Sequence, residues 1–254
     1  MRNAVLILAA LFLFCACAPA MNRDQVAKAL ADNPQLVFDA LKRDKSQLLD
    51  VIDQAVQERD ANERKADLSK GLANPLKPEI DPARPYLGAA DAPVTIVEYS
   101  DFLCGYCAQA SQALQEVMAK NPGRIRLFFK HYPAHQGSLE PSAMFEALGL
   151  QSKDAAWKFA ELAFANQQSL ADGSGKGVAA ILAQAKAGAK LDAAKLEKDM
   201  HSPAVRARIE ADVAEAARFG VEGTPSFVVN GVMVRGALSA AEFEEMLNVV
   251  APKK

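Results

Sequence analysis

The chain has 254 residues, half of them hydrophobic, with 29 basic and 31 acidic side chains and a formal net charge of −2. That balance gives no strong charge field and so no pointer to nucleic acid. The length is enough for one substantial core plus an inserted subdomain and a separate N-terminal segment, and no internal repeat is visible.

In chain order, Met1-Arg2 precedes an apolar run over residues 4–14 and small residues up to Ala20, the layout of a secretory signal in residues 1–20. The run is too short for a comfortable membrane span. Cleavage after Ala20 follows the small-x-small pattern Ala18-Pro19-Ala20 and removes Cys15 and Cys17. The alternative is a lipid anchor at Cys17, after the degenerate lipobox Phe14-Cys15-Ala16. Export places the remaining cysteines, Cys104 and Cys107, where disulfide chemistry is expected.

Residues 21–70 are charged, and Leu30, Val37, Leu41, Leu48, Ile52 and Ala55 recur at steps of seven, four and three. This pattern predicts one or two amphipathic helices, with Asn33-Pro34 as a natural N-cap and first helical residue. An apolar stripe needs a partner, and self-association into a homo-oligomer through residues 22–70 is the expectation. Fold-back on the rest of the chain is the competing reading. Next comes a Pro-rich linker, residues 71–88, in which Pro75, Pro78, Pro82 and Pro85 disfavour a continuous helix.

Val94-Thr95-Ile96-Val97-Glu98-Tyr99 is β-branched and aromatic, as a buried strand should be, and residues 108–120 carry Ala110, Leu114 and Val117 at helical spacing. Between them lies Cys104-Gly105-Tyr106-Cys107. A C-x-x-C at a strand-to-helix junction is a redox signature. Positions three apart share a helical face with Cβ atoms about 5–6 Å apart, which a small adjustment brings to disulfide range. Cys104, at the helix N-terminus, is the expected nucleophile, because unpaired N–H groups and the helix dipole favour a thiolate there. Cys107, one turn deeper, is expected to resolve the mixed disulfide.

A structural disulfide over so short a loop removes little chain entropy. A zinc site needs about four ligands, and His131, His135 and His201 lack paired ligand spacing, so no metal site is assigned. A Cu(I) site on two soft thiolates stays open as an alternative.

Glu98 alternates with Val94 and Ile96 on one strand face, so burial would raise its pKa and let it exchange a proton with Cys107. Far along the chain, Gly223-Thr224-Pro225-Ser226-Phe227-Val228-Val229-Asn230-Gly231 reads as a tight approach, a strand and a turn. The segment from about 138 to 219 carries Trp157, Phe159, Leu162 and Phe164, then Val205, Ile209 and Val213, which predict packed helices around a glycine-rich turn at 171–177. Residues 239–250 predict a closing helix with Ser239 as N-cap and Glu242 at the capping-box position.

Glu98 six residues before Cys104, the C-x-x-C opening a helix, and the late Gly223-Thr224-Pro225 together resemble the thioredoxin superfamily, and within it the bacterial periplasmic DsbA-like proteins. The stretch Ala92-Pro93-Val94 through Phe102 is similar to their approach to the active site, and Arg126 through Pro133 to their next strand. An N-terminal extension before the catalytic part resembles the ScsC group. The pair Gly105-Tyr106, and Thr224 before Pro225, are similar to the choices of the isomerase DsbC rather than those of DsbA.

The resemblance implies an α/β thioredoxin fold over residues 89–254 with an inserted helical subdomain, preceded by the N-terminal helical segment. It implies a cis Pro225 lying against the cysteines, Glu98 beneath them, and substrate backbone docking near Thr224, Pro225, Gly105 and Tyr106. It also implies periplasmic exchange of disulfides in unfolded or misoxidised secreted proteins, as an isomerase or reductase or, alternatively, as a dithiol oxidase. A membrane redox partner would restore the working state. No cofactor is expected beyond the redox-active Cys104-Cys107 disulfide. A non-enzymatic copper-binding or holdase role is the other reading.

Overall fold

The computed structural model describes residues 22–171, 175–186 and 188–251. The signal at 1–20, the anchor at Cys17 and the centre of the glycine-rich turn lie outside the described residues. The chain divides into two units, residues 1–60 and 61–254.

In the first unit, helices α1 (Arg23–Asp32) and α2 (Pro34–Arg43) precede the start of α3 (Lys45–Ala73). There are thus three helices where the spacing predicts one or two. Asn22 and Gln25 form a capping box on α1, and Pro34 occupies the first turn of α2, where a missing N–H is harmless. Neither α1 nor α2 has a buried residue. Val26, Leu30, Leu36, Phe38, Leu41, Leu49 and Ile52 all remain exposed.

In the second unit, the end of α3 runs past the expected linker boundary to Ala73 and lies against the sheet. A Cβ on Gly71 would come within 2.8 Å of Val232 Cα, so only glycine fits there. Asp67 pairs with Arg235, and Arg64 with Glu242 at 3.4 Å. The Pro-rich stretch is also not a free tether, because strand β1 (Tyr86–Gly88) lies inside it and pairs with β3.

A five-stranded sheet in the order β1-β3-β2-β4-β5 is built from β1, β2 (Val94–Ser100), β3 (Ile125–His131), β4 (Ser226–Val229) and β5 (Val232–Arg235). Strands β2 and β3 are parallel, joined by the crossover helix α4 (Gly105–Lys120), and the other pairings are antiparallel. A two-residue turn joins β4 to β5. Asn230 and Gly231 both take positive φ, 47° and 90°, as such a hairpin turn requires.

Period-two alternation sorts the side chains. Val94, Ile96, Ile125, Leu127, Phe227 and Val229 face α4 and the closing helix α11 (Ala240–Val250), whereas Val97, Tyr99, Phe128 and Val228 face the opposite side. Helix α11 starts at the Ser239–Glu242 capping box that the sequence predicts.

Between β3 and β4 lie α5 (Leu139–Gly149), α6 (Lys153–Ala165), α7 (Gln167–Leu170), α8 (Lys176–Ala185), α9 (Ala193–Met200) and α10 (Pro203–Arg218). Phe145, Phe159, Ile181 and Leu196 form their core, into which Phe102 and Phe129 of the sheet side also pack. Val213 is the exception, being 37% exposed on α10. The mixed α/β architecture with added helices is the fold class expected from the sequence.

Candidate active site

Strand β2, the central strand, is buried along nearly its whole length and delivers the chain at its C-terminal end to Asp101, Phe102, Leu103 and Cys104. Cys104 is the N-cap of α4, with extended backbone, and its carbonyl accepts the N–H groups of Cys107 and Ala108 at 3.1 and 3.2 Å. A helix N-terminus favours negative charge at this position. Cys104 is 6% exposed and Cys107 fully buried, and both are free thiols. The accessible sulfur is therefore that of Cys104.

The Thr224–Pro225 peptide is cis, and Thr224 O accepts the Cys104 thiol at 3.4 Å. The structure thus brings together two segments 120 residues apart. Gly105 has open space where a Cβ would stand, and Tyr106 is 66% exposed, so both face solvent beside Cys104.

Glu98 lies beneath, on the same sheet face as α4, 2% exposed, with Oε1 unpartnered. Burial pushes its carboxyl up to about 7, the nearby Ser100 hydroxyl offsetting only part of this. The Cys107 thiol is pushed well above the usual cysteine range, first by burial, then by the Glu98 carboxylate, with Cys104 adding to it. The Glu98 carboxylate thus disfavours a Cys107 thiolate, and the buried thiol keeps its proton while Glu98 is charged.

A folded-state pKa above the unfolded one means that stability falls as pH rises from about 4.5 to about 7. Glu98→Gln should therefore match the wild type near pH 4 and exceed it at pH 8 by up to ~3 kcal/mol. Denaturant unfolding of the dithiol form at the two pH values measures this. An equal difference at both would remove the buried-carboxyl account.

Sequence reasoning missed three elements of the site. Asp101, fully buried, accepts from Leu103 N at 2.8 Å, Ala134 N at 2.8 Å, His135 N at 2.9 Å, His135 Nδ1 at 2.8 Å and Ser138 Oγ at 2.5 Å. Burial pushes its carboxyl up, but Ser138, the Leu103 N–H and His135 outweigh that and hold it below its ordinary value. Asp101 thereby ties the cysteine loop to the start of the helical insertion. From that insertion Gln167 Nε2 donates to Phe102 O at 3.0 Å and Cys104 O at 2.8 Å.

Third, a buried ionic cluster stands on the other sheet face. Arg84 donates to Glu146 at 2.5 Å and to Asp212 at 2.7 Å, and Lys130 pairs with Glu215, which also accepts from Tyr99 at 2.5 Å. His131 is fully buried with Nε2 3.1 Å from Glu146. Among the described residues no three His, Cys, Asp or Glu side chains cluster as a metal-binding set.

A family model described as thioredoxin matches residues 81–249. The chain belongs to the thioredoxin family. Within this family the fold resembles a thioredoxin-like oxidoreductase from Silicibacter pomeroyi, 28% identical, at a TM-score of 0.57 over 66% of this chain and 92% of that one. It also resembles the thiol-disulfide exchange protein α-DsbA2 of Wolbachia pipientis, 19% identical, TM-score 0.59, covering 76% and 98% of the two chains. Proteus mirabilis ScsC, 19% identical with a TM-score of 0.50, covers 91% of this chain and 97% of that one. The DsbA-like resemblance read from the motifs therefore holds at the level of fold.

The chain is also 35% identical over 178 residues to a Na(+)/H(+) antiporter NhaA of Herminiimonas arsenicoxydans. That match covers 70% of this chain but 27% of the antiporter. Among the described residues no helix is long and apolar enough to cross a membrane.

Proposed function

We propose that this thioredoxin-family chain is an exported, periplasmic thiol:disulfide oxidoreductase that acts on protein disulfides in the isomerase or reductase direction. The observation that carries the reading is the Cys104 thiol at the start of α4, 3.4 Å from the carbonyl of Thr224 and backed by buried Cys107 and Glu98. Cys104, as thiolate, attacks one sulfur of a substrate disulfide, and the other sulfur leaves as a thiolate that takes up a proton. Glu98 accepts the Cys107 proton, and Cys107 attacks Cys104 Sγ. The second substrate sulfur departs, leaving a reduced substrate dithiol and an oxidised Cys104-Cys107 pair.

In isomerisation the freed substrate thiolate instead attacks another substrate disulfide, and the thiolate released there attacks the substrate sulfur bound to Cys104, which expels Cys104 as a thiolate unchanged in redox state. Thr224 and Pro225 offer backbone for an extended substrate, and Gly105 and Tyr106 form the exposed rim. Unfolded or misoxidised secreted proteins are the substrates of this reading, and a membrane redox partner restores the dithiol.

The deciding measurement is the Cys104/Cys107 reduction potential against glutathione. A value distinctly more reducing than the roughly −120 mV of a strong oxidant supports the isomerase or reductase direction. A value near it would make the chain a dithiol oxidase.

The exposed apolar residues of α1, α2 and the first part of α3 suit self-association into a homo-oligomer. Deleting residues 22–60 keeps the part of α3 that belongs to the catalytic unit. Refolding of a scrambled disulfide substrate should then fall severalfold, while oxidation of a simple dithiol peptide stays unchanged and sedimentation shows a monomer. Unchanged isomerisation would separate that activity from the N-terminal unit.

A further inference from the structure

Behind α4, on the side away from Thr224, a cavity of about 480 Å³ lies between α4, β1, β3 and α6. Its walls are mainly apolar, formed by Leu114, Met118, Leu127, Phe129, Trp157 and Phe164. Two buried polar atoms on its lining have no partner among the described residues, Glu98 Oε1 and Trp157 Nε1. Both residues neighbour Phe129. Glu98 stands beside Phe129 across the β2–β3 pairing, and Trp157 meets the same Phe129 edge-on with centroids 6.3 Å apart.

Buried orphan donors and acceptors are rare because each forgoes the hydrogen bonds it has in water. An indole N–H can only donate, and an ionised carboxylate can only accept. One hydroxyl answers both, taking the indole proton on its oxygen and giving its own to the carboxylate. Water has the same chemistry, and Ser111, Gln115, Asp154, Lys158 and Glu161 at the mouth can hold it, but the inner wall of Leu114, Leu127 and Phe129 offers waters few partners. The volume falls in the range of about 300–1,000 Å³ typical of small-molecule pockets. The surrounding Phe129, Trp157 and Phe164 favour an aromatic body, through edge and face contacts.

We propose that this cavity is a binding site for small phenols, whose hydroxyl bridges Glu98 and Trp157 while the ring lies among the aromatic and leucine walls. The ligand would occupy the space behind the Cys107 helix without touching the substrate face. This assignment goes beyond the disulfide exchange and does not depend on its direction.

Trp157 is the only tryptophan in the chain, so its indole N–H gives a single, unambiguous NMR cross-peak. The reduced full chain is titrated with 4-fluorophenol and, separately, with fluorobenzene, following that cross-peak and the ligand ¹⁹F signal. The phenol should move the indole cross-peak and bind about tenfold or more tighter than fluorobenzene, the difference expected for satisfying two buried polar groups. Trp157→Phe, which keeps a ring and removes the N–H, should weaken 4-fluorophenol severalfold and leave fluorobenzene unaffected. If Trp157→Phe fails to fold, the wild-type comparison of the two ligands still decides. An indole cross-peak that moves for neither ligand, or equally for both, overturns the site, as does a folded Trp157→Phe that binds 4-fluorophenol as tightly as the wild type. No turnover is measured, so failure here and failure of the redox reading are told apart.

Discussion

Cys104→Ser should reduce thiol:disulfide exchange by about a thousandfold or more, because an oxygen at this position neither forms nor expels a disulfide. Cys107→Ser should behave differently. The attacking thiol remains accessible next to Thr224, but nothing fully buried behind it can resolve the product. Mixed disulfides between Cys104 and substrate should therefore accumulate and appear as reducible, higher-mass bands on non-reducing gels. Activity retained by Cys104→Ser, or no trapped adducts with Cys107→Ser, would refute the assignment of the two roles. The asymmetry follows from burial and from pKa. The interior thiol is held protonated by burial and by Glu98 until the carboxylate can take its proton.

Arg84→Met is expected to be the most destabilising single change away from the cysteines. The guanidinium bridges Glu146 and Asp212, which are 0% and 2% exposed, and removing it leaves buried carboxylates short of their counter-charge. Breaking a buried pair by deleting one partner costs about 3–5 kcal/mol. For a unit of this size that is a drop of roughly 10 °C in Tm, read by calorimetry. The pH dependence has a definite sign. Burial alone would raise the Glu146 carboxyl, but His131 and Arg84 hold it down to about 2. Its contribution is complete above about pH 4.5 and is lost as pH falls toward 2, so the gap between wild type and Arg84→Met should narrow in acid. A constant gap would mean that Arg84 acts by packing alone.

Arg84 also shows why the stretch before the sheet is more than a spacer. It comes from the Pro-rich segment and docks on two helices of the insertion, α5 and α10, while Glu79 N–H donates to Glu215 at 2.7 Å. Proline content correctly excludes a helix after Ala73, since proline lacks the N–H a helix needs. It says nothing about charged side chains between the prolines, whose partners are 62 and 128 residues away.

What the sequence determined by itself is local in origin. The β-branched run of β2, the helical spacing after Cys107, the capping box at Ser239, Pro34 at a helix start and the Asn230-Gly231 turn each act through neighbouring residues, so their signals survive in one dimension. The C-x-x-C belongs with them, because a strand running into a helix places both thiols on one first turn.

The tertiary structure alone decided the rest. It set Thr224 O against Cys104, tied Asp101 to His135 and Ser138, brought Gln167 to the Cys104 carbonyl, and left Glu98 and Trp157 facing one cavity. Composition and periodicity report only whether a side chain prefers water. Which buried polar group meets which partner, and which meets none, is fixed when the helical insertion closes on the sheet, because only then are those groups removed from water and forced to satisfy one another.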